Sequence, residues 1–366
     1  SGLKSGVRRR LVFERCLFTC VGNGGVDAVD ASAASARQRV PTVSRASTEQ
    51  QCPKIIRMPL VINGAVVEQL PPDTRTLLDS YPQFKEIAAA LISQVPKVIG
   101  PLGLLYVNQR EFAVTVPQDK NVSVLGTDEA TTCLMAIVRH TGSGAVSLAH
   151  FDGSGLEQGA AAMVRRVQEL SLPIPEGRFE VYIVGGFLDR RGYSETLANQ
   201  LLYAFHKQPV NLHLVTACIC ELNNVLRGNL NWPTIYGIGV NIKSGEIFPA
   251  TFPDKGPELP LRSARHFTGC HEMSDIYDCS LGMMRIGPFN YEPMRGVDLW
   301  LSQNDDFILQ HLSTSPEVES PMFVMQARAT LKYIQQHPFP GVTVFPDNRP
   351  HYFRKDEGGA WIPFCY

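Results

Sequence analysis

Leu125-Gly126-Thr127-Asp128-Glu129-Ala130-Thr131-Thr132-Cys133 leads directly into the apolar run Leu134-Met135-Ala136-Ile137-Val138-Arg139-His140. Thr141-Gly142-Ser143-Gly144-Ala145 then turns the chain into Val146-Ser147-Leu148-Ala149-His150-Phe151-Asp152. Two apolar runs around a Gly-Ser-Gly turn read as an antiparallel hairpin. A loop of Gly142-Ser143, or of the four residues 141–144, makes paired residue numbers sum to 285 and sets His150 opposite Met135. Side chains two apart share a strand face, so Cys133 joins Met135 on the side where His150 points. The two are then diagonal neighbours with backbones about 7–8 Å apart. His140 follows Cys133 at an odd offset and points the other way.

Outward from this hairpin the pattern is mixed. Further strand-like runs cover 104–116, 179–187, 211–222, 234–241 and 245–250. Helical periods cover 157–171, 194–207 and 321–336, and a last hairpin joins 342–353 to 360–364 around Glu357-Gly358-Gly359. Strands outnumber helices and several follow one another directly, which points to an α+β fold. Val184-Gly185-Gly186-Phe187 closes a strand, but it has the spacing of neither a dinucleotide fingerprint nor a Walker loop. Gly-x-Ser-x-Gly and His-Glu-x-x-His are also absent from the sequence.

Charge separates the first 57 residues from the rest. They carry +6 of a total of −1, so the remaining 309 residues carry −7, a poor balance for binding a phosphate backbone. Their Ala-, Ser-, Gly- and Arg-rich composition reads as a disordered leader over 1–57, ahead of a single domain over 58–366. No apolar run of about 18 residues exists in the chain, so no membrane span is expected. The nine cysteines are irregularly spaced, which fits a reducing compartment: the cytoplasm, with the nucleus as a second location. Cys270-His271 with Cys279 lacks the second short-spaced ligand pair of a zinc site, so neither metal nor cofactor is expected. Cys218 and Cys220, two apart in one run, read as same-face packing residues.

A thiol beside an imidazole is the minimum apparatus for covalent attack on a carbonyl carbon, with Thr131, Thr132 and nearby N–H groups as oxyanion donors. Ordinary core packing also accounts for both residues, because free cysteines are among the most buried side chains. The residues alone leave open covalent chemistry on an amide, as deamidation of internal Asn or Gln or as amide cleavage, and a non-catalytic interaction module in which Cys133 is merely buried.

Several blocks together resemble the eukaryotic protein N-terminal asparagine amidohydrolase family. They are Leu104-Leu105-Tyr106-Val107, residues 125–133, Arg139-His140-Thr141-Gly142, Val184-Gly185-Gly186-Phe187, Glu221-Leu222-Asn223, Ile235-Tyr236-Gly237-Ile238 and Leu312-Ser313-Thr314-Ser315-Pro316. The seventeen-residue Cys–His spacing is also similar to that of chemoreceptor glutamine deamidases and cytotoxic necrotizing factor catalytic domains. These share a mixed β-sandwich flanked by helices, which the resemblance implies here. It further implies deamidation of N-terminal Asn to Asp on proteins or peptides, and a link to arginylation and ubiquitin ligases in the N-degron pathway. Cys133 is then the nucleophile, His150 the base and Thr127 a third catalytic member. Asp128, Asp152 and Glu221, with Glu129 beside them, are the acids available to the substrate α-ammonium. The family begins at the counterpart of Met58-Pro59-Leu60, so the leader is where this sequence departs from it.

Overall fold

The structure is a computed structural model that describes residues 59–364; the expected leader, Met58 and Cys365 lie outside the described residues. The described residues begin with β1 (Val61–Ile62) and β2 (Ala65–Val66), then α1 (Thr74–Ser80) and α2 (Gln83–Ile92). Next come β3 (Lys97–Val98), β4 (Leu104–Tyr106), β5 (Glu111–Thr115), β6 (Val124–Thr127), β7 (Leu134–His140) and β8 (Val146–Phe151). Helix α3 (Leu156–Ser171) leads to β9 (Phe179–Gly185), and α4 (Tyr193–His206) leads to β10 (Leu212–Ile219). A small hairpin, β11 (Asn224–Arg227) with β12 (Leu230–Pro233), precedes β13 (Ile238–Asn241) and β14 (Ile247–Thr251).

The remainder is α5 (Leu259–Phe267), β15 (Ser274–Asp275), β16 (Tyr277–Asp278), β17 (Met283–Ile286), α6 (Val297–Leu301), α7 (Asp305–Leu312) and α8 (Phe323–Gln336). After α9 (Pro340–Thr343), β18 (His351–Lys355) and β19 (Trp361–Phe364) close the described chain.

The architecture is α+β. An eight-stranded mixed sheet has the order β15-β5-β8-β7-β9-β10-β1-β2, and a five-stranded sheet the order β3-β14-β13-β6-β4. One face of the larger sheet contributes Leu134, Ala136 and Val138 to a core shared with α3 and α4. The other face contributes Met135, Ile137, Leu148 and Val184 to a second core, together with Leu125, Ile238 and Val240 of the smaller sheet. The sheets therefore pack face to face, with helices behind the larger one. Residues 134–138 are apolar without interruption because both faces are covered. Helix α3 supplies Leu156, Ala160, Met163, Val164 and Val167, the stripe a 3.6-residue period demands of a helix on a sheet.

Three sequence expectations are corrected. Residues 104–116 are two strands, not one: β4 joins the smaller sheet and β5 the larger, divided at Arg110, whose φ is +59°. The run 211–222 ends at Ile219, where Cys220 takes φ +46° and opens a one-turn 3-10 helix, Cys220–Asn223. Cys218 and Cys220 consequently enter different cores instead of sharing a face. Residues 342–350 are not strand, because Pro340 and Pro346 each open a short helical turn, and pairing begins only at His351.

Candidate active site

Cys133 is the residue immediately before β7 and is half-buried as a residue, while Thr131 and Thr132 beside it are buried. Its backbone is clamped by β9. The Gly186 N–H donates to the Cys133 carbonyl at 2.9 Å. Gly185 adopts φ +127°, and a Cβ there would stand 2.7 Å from the same carbonyl oxygen. The Gly-Gly pair thus permits close approach of two backbones at the cysteine.

In the β7–β8 ladder Met135 lies opposite His150, as the hairpin arithmetic requires. The His150 ring is buried, and its Nδ1 stands 2.8 Å from Oγ1 of Thr127 on β6. Thr127 belongs to the smaller sheet, paired with Ile238, so this bond spans the space between the sheets. His150 therefore points into the inter-sheet core that also receives Met135 and Cys133. His140 is held at the hairpin end, its Nδ1 3.0 Å from Ser143 Oγ and its ring against Phe179.

Both groups are neutral at rest. Burial pushes the Cys133 thiol well above its usual value, Asp152 and Glu319 add to that, and Arg110 opposes it. Burial also lowers His150 to about 4, against the pull of Asp152 and Asp128. A neutral imidazole is the form that accepts a proton.

The acids differ in their commitments. Asp128 accepts from Tyr106 Oη at 2.9 Å and the Phe252 N–H at 2.8 Å, and pairs with Lys255 at 3.1 Å. Glu129, at φ +59°, pairs with the same lysine at 2.5 Å and accepts from Gln326 at 3.2 Å. Asp152 directly follows β8, one residue past the Leu134–Phe151 pair, and accepts from Arg110 Nε and Gln109 Nε2, both at 2.6 Å. Burial, the largest influence, works against its charge, but Arg110 together with His266, the Ser154 N–H and Gln109 holds the carboxyl below its ordinary value. Glu221 lies half-exposed in the turn after β10, and β9 separates that strand from β7.

Sequence reasoning uses residues 312–316 only as part of the family resemblance and gives neither them nor Glu319 a place in the site. Thr132 Oγ1 lies 2.8 Å from Thr314 Oγ1, and the Ser315 hydroxyl donates to Thr131 Oγ1 at 2.9 Å. The Ser313 hydroxyl donates to the Glu319 carboxylate. The two threonine hydroxyls expected as oxyanion donors are therefore engaged in holding this segment. Burial raises Glu319 to about 7, with Glu129 adding to the rise and the Ser313 and Thr131 hydroxyls opposing it. The only signal in the sequence was the Ser-Thr-Ser-Pro block just ahead of it.

Cys279 Sγ lies 3.7 Å from Thr115 Oγ1, and among the described residues no group of three or more His, Cys, Asp or Glu is arranged to hold a metal ion. Among the described residues, no helix is long and apolar enough to cross a membrane.

Known proteins with this sequence pattern carry one name. A family model described as protein N-terminal asparagine amidohydrolase matches residues 94–363. The chain is 44% identical over 304 residues to the protein N-terminal asparagine amidohydrolase of Sus scrofa, covering 83% of this chain and 97% of that protein. The Homo sapiens protein of that name matches with the same identity and coverage. The Arabidopsis thaliana one is 31% identical over 284 residues, 70% of this chain and 80% of its own. Identity of this extent, together with a family model spanning the Cys133, His150 and Glu319 segments, means that the chain belongs to the protein N-terminal asparagine amidohydrolase family.

Proposed function

We propose that the protein hydrolyses the side-chain carboxamide of an N-terminal asparagine to aspartate, with Cys133 as nucleophile and His150 as proton carrier. The observation that carries this reading is the 2.8 Å Thr127–His150 bond, which holds a neutral buried imidazole on the sheet side that Cys133 shares. The names of the relatives support the choice of substrate.

The thiol is protonated at rest, so its proton passes to His150 as sulfur attacks the carboxamide carbon. The tetrahedral intermediate collapses as its C–N bond breaks, and the imidazolium protonates the leaving nitrogen, giving ammonia and a thioester. Water then loses a proton to His150 and attacks the thioester. The C–S bond breaks, the thiol regains its proton, and Asp remains at the terminus. Thr127 acts as a positioning residue, fixing the imidazole through Nδ1. The product is a protein with an N-terminal Asp, the class of substrate that arginylation and ubiquitin ligation take up in the cytoplasm or nucleus.

Peptides with free N-terminal Asn, acetylated Asn and N-terminal Gln test the reading by ammonia release. Turnover is expected with the first alone, and Cys133→Ala should abolish it while leaving the fold intact. Equal rates on the acetylated peptide would turn the assignment toward internal amides. Full activity in Cys133→Ala would remove the cysteine from the chemistry.

A further inference from the structure

The proposed reaction needs a group that recognises a chain terminus, and the acids around Cys133 are not equally available for it. Asp128 and Glu129 share the Lys255 ammonium, and Asp152 holds the Arg110 guanidinium. Glu319 has no ion pair among the described residues. Its carboxylate accepts from the Ser313 hydroxyl, and Ser315, in the same segment, donates to Thr131, two residues from the thiol. We propose that Glu319 is the receptor for the α-ammonium group of the substrate, a role that rests on the deamidation reading above.

Covalent geometry supports the placement. In asparagine the α-nitrogen lies three bonds from the carboxamide carbon, within about 4 Å of the atom that sulfur attacks. The receptor must therefore stand beside the nucleophile, on the wall that Thr131 and Thr132 form with the segment 313–319. The same anchor separates Asn from Gln. With the ammonium fixed, the extra methylene carries the Gln carboxamide about 1.5 Å past the thiol. A misplacement of about 1 Å costs on the order of a hundred-fold in rate, which adds to the roughly 10–200-fold an apolar pocket gains by rejecting one methylene. Glu319 also contributes to keeping Cys133 protonated in the free enzyme. An ammonium arriving at Glu319 cancels that contribution, so the substrate itself eases proton loss from the nucleophile.

The test compares wild type, Glu319→Gln, Glu319→Asp and the control Glu317→Gln, whose carboxylate is 3.7 Å from Arg190 on the surface. Two substrates are needed, an Asn peptide and the same peptide without its α-amine, carrying an N-terminal succinamoyl group. Glu319→Gln should raise KM for the Asn peptide about 10- to 100-fold, the loss expected for one charge-assisted contact. On the succinamoyl peptide, which offers no ammonium, Glu319→Gln should not lower kcat/KM and should raise it modestly by removing a charge that keeps the thiol protonated. Glu319→Asp should recover part of the loss on the Asn peptide. Equal losses on both substrates, or an unchanged KM, would overturn the assignment.

A second readout does not depend on deamidation. Cys133 labelling by cationic 2-aminoethyl methanethiosulfonate is compared with labelling by neutral methyl methanethiosulfonate, read on the Cys133 peptide by mass spectrometry. The cationic reagent should be favoured in wild type and Glu319→Asp, and the preference should vanish in Glu319→Gln. The same ratio in all proteins would overturn the cation site. A wild type that releases no ammonia yet keeps this Glu319-dependent preference would reject the deamidation reading and leave the cation site standing.

Discussion

Thr127 and His150 come from different sheets, and one hydrogen bond decides which way the imidazole faces. Thr127→Val removes the hydroxyl and leaves a buried ring nitrogen without its partner. The expected cost is about 1–3 kcal/mol of stability. Because general-base catalysis contributes at least about a hundred-fold, kcat should fall on that order, with KM little changed. Thr127→Ser should restore most of both, and denaturant midpoints with steady-state kinetics on an Asn peptide check it. At this scale the sequence disclosed what local periodicity controls. Cys133 and His150 fall on one face by counting along a hairpin. The Thr131–Ser315 contact spans 184 residues, so no count along a strand reaches Glu319.

The β7–β8 hairpin was readable as an element because a four-residue turn and a two-residue period fix its register together. The run 104–116 was not. Both of its halves are buried, so nothing in its hydropathy marks the place where the chain passes from one sheet to the other. Near 342, apolar residues interleaved with prolines imitate a strand, and the proline positions favour short helical turns. The β9 end shows what a glycine does when an element carries a site. Gly185→Ala should cost about 1–3 kcal/mol through its positive φ, and more through contact with the Cys133 carbonyl. Because that carbonyl belongs to the proposed nucleophile, kcat should drop further than a distant change of equal destabilisation would produce. Thermal melts and ammonia release on the variant provide the check.

The whole molecule carries the cost of burying His150. Its ring titrates at about 4 when folded and near 6.5 when unfolded, so the unfolded chain binds more protons between those values. Stability contributed by the neutral ring is complete above about pH 6.5 and is lost as pH falls toward 4, amounting to about 3 kcal/mol. Asp152, Asp128 and Glu111 draw the ring toward protonation, and Lys255 opposes them. Asp152 adds its own loss at lower pH, as acid reaches its lowered carboxyl. Urea midpoints from pH 7 to 4 should fall in wild type and fall less in His150→Gln. A slope shared by both proteins would move the effect to other groups.

The clasp between Thr131–Thr132 and Thr314–Ser315 also sets an order in time. During synthesis the cysteine leaves the ribosome long before the hydroxyls that brace its loop, so a nascent chain displays a thiol without the wall beside it. On the proposed reading, enzymatic competence arrives only when translation has passed that late serine- and threonine-rich stretch, and a truncated product ending ahead of it carries the proposed nucleophile but not the proposed recognition surface.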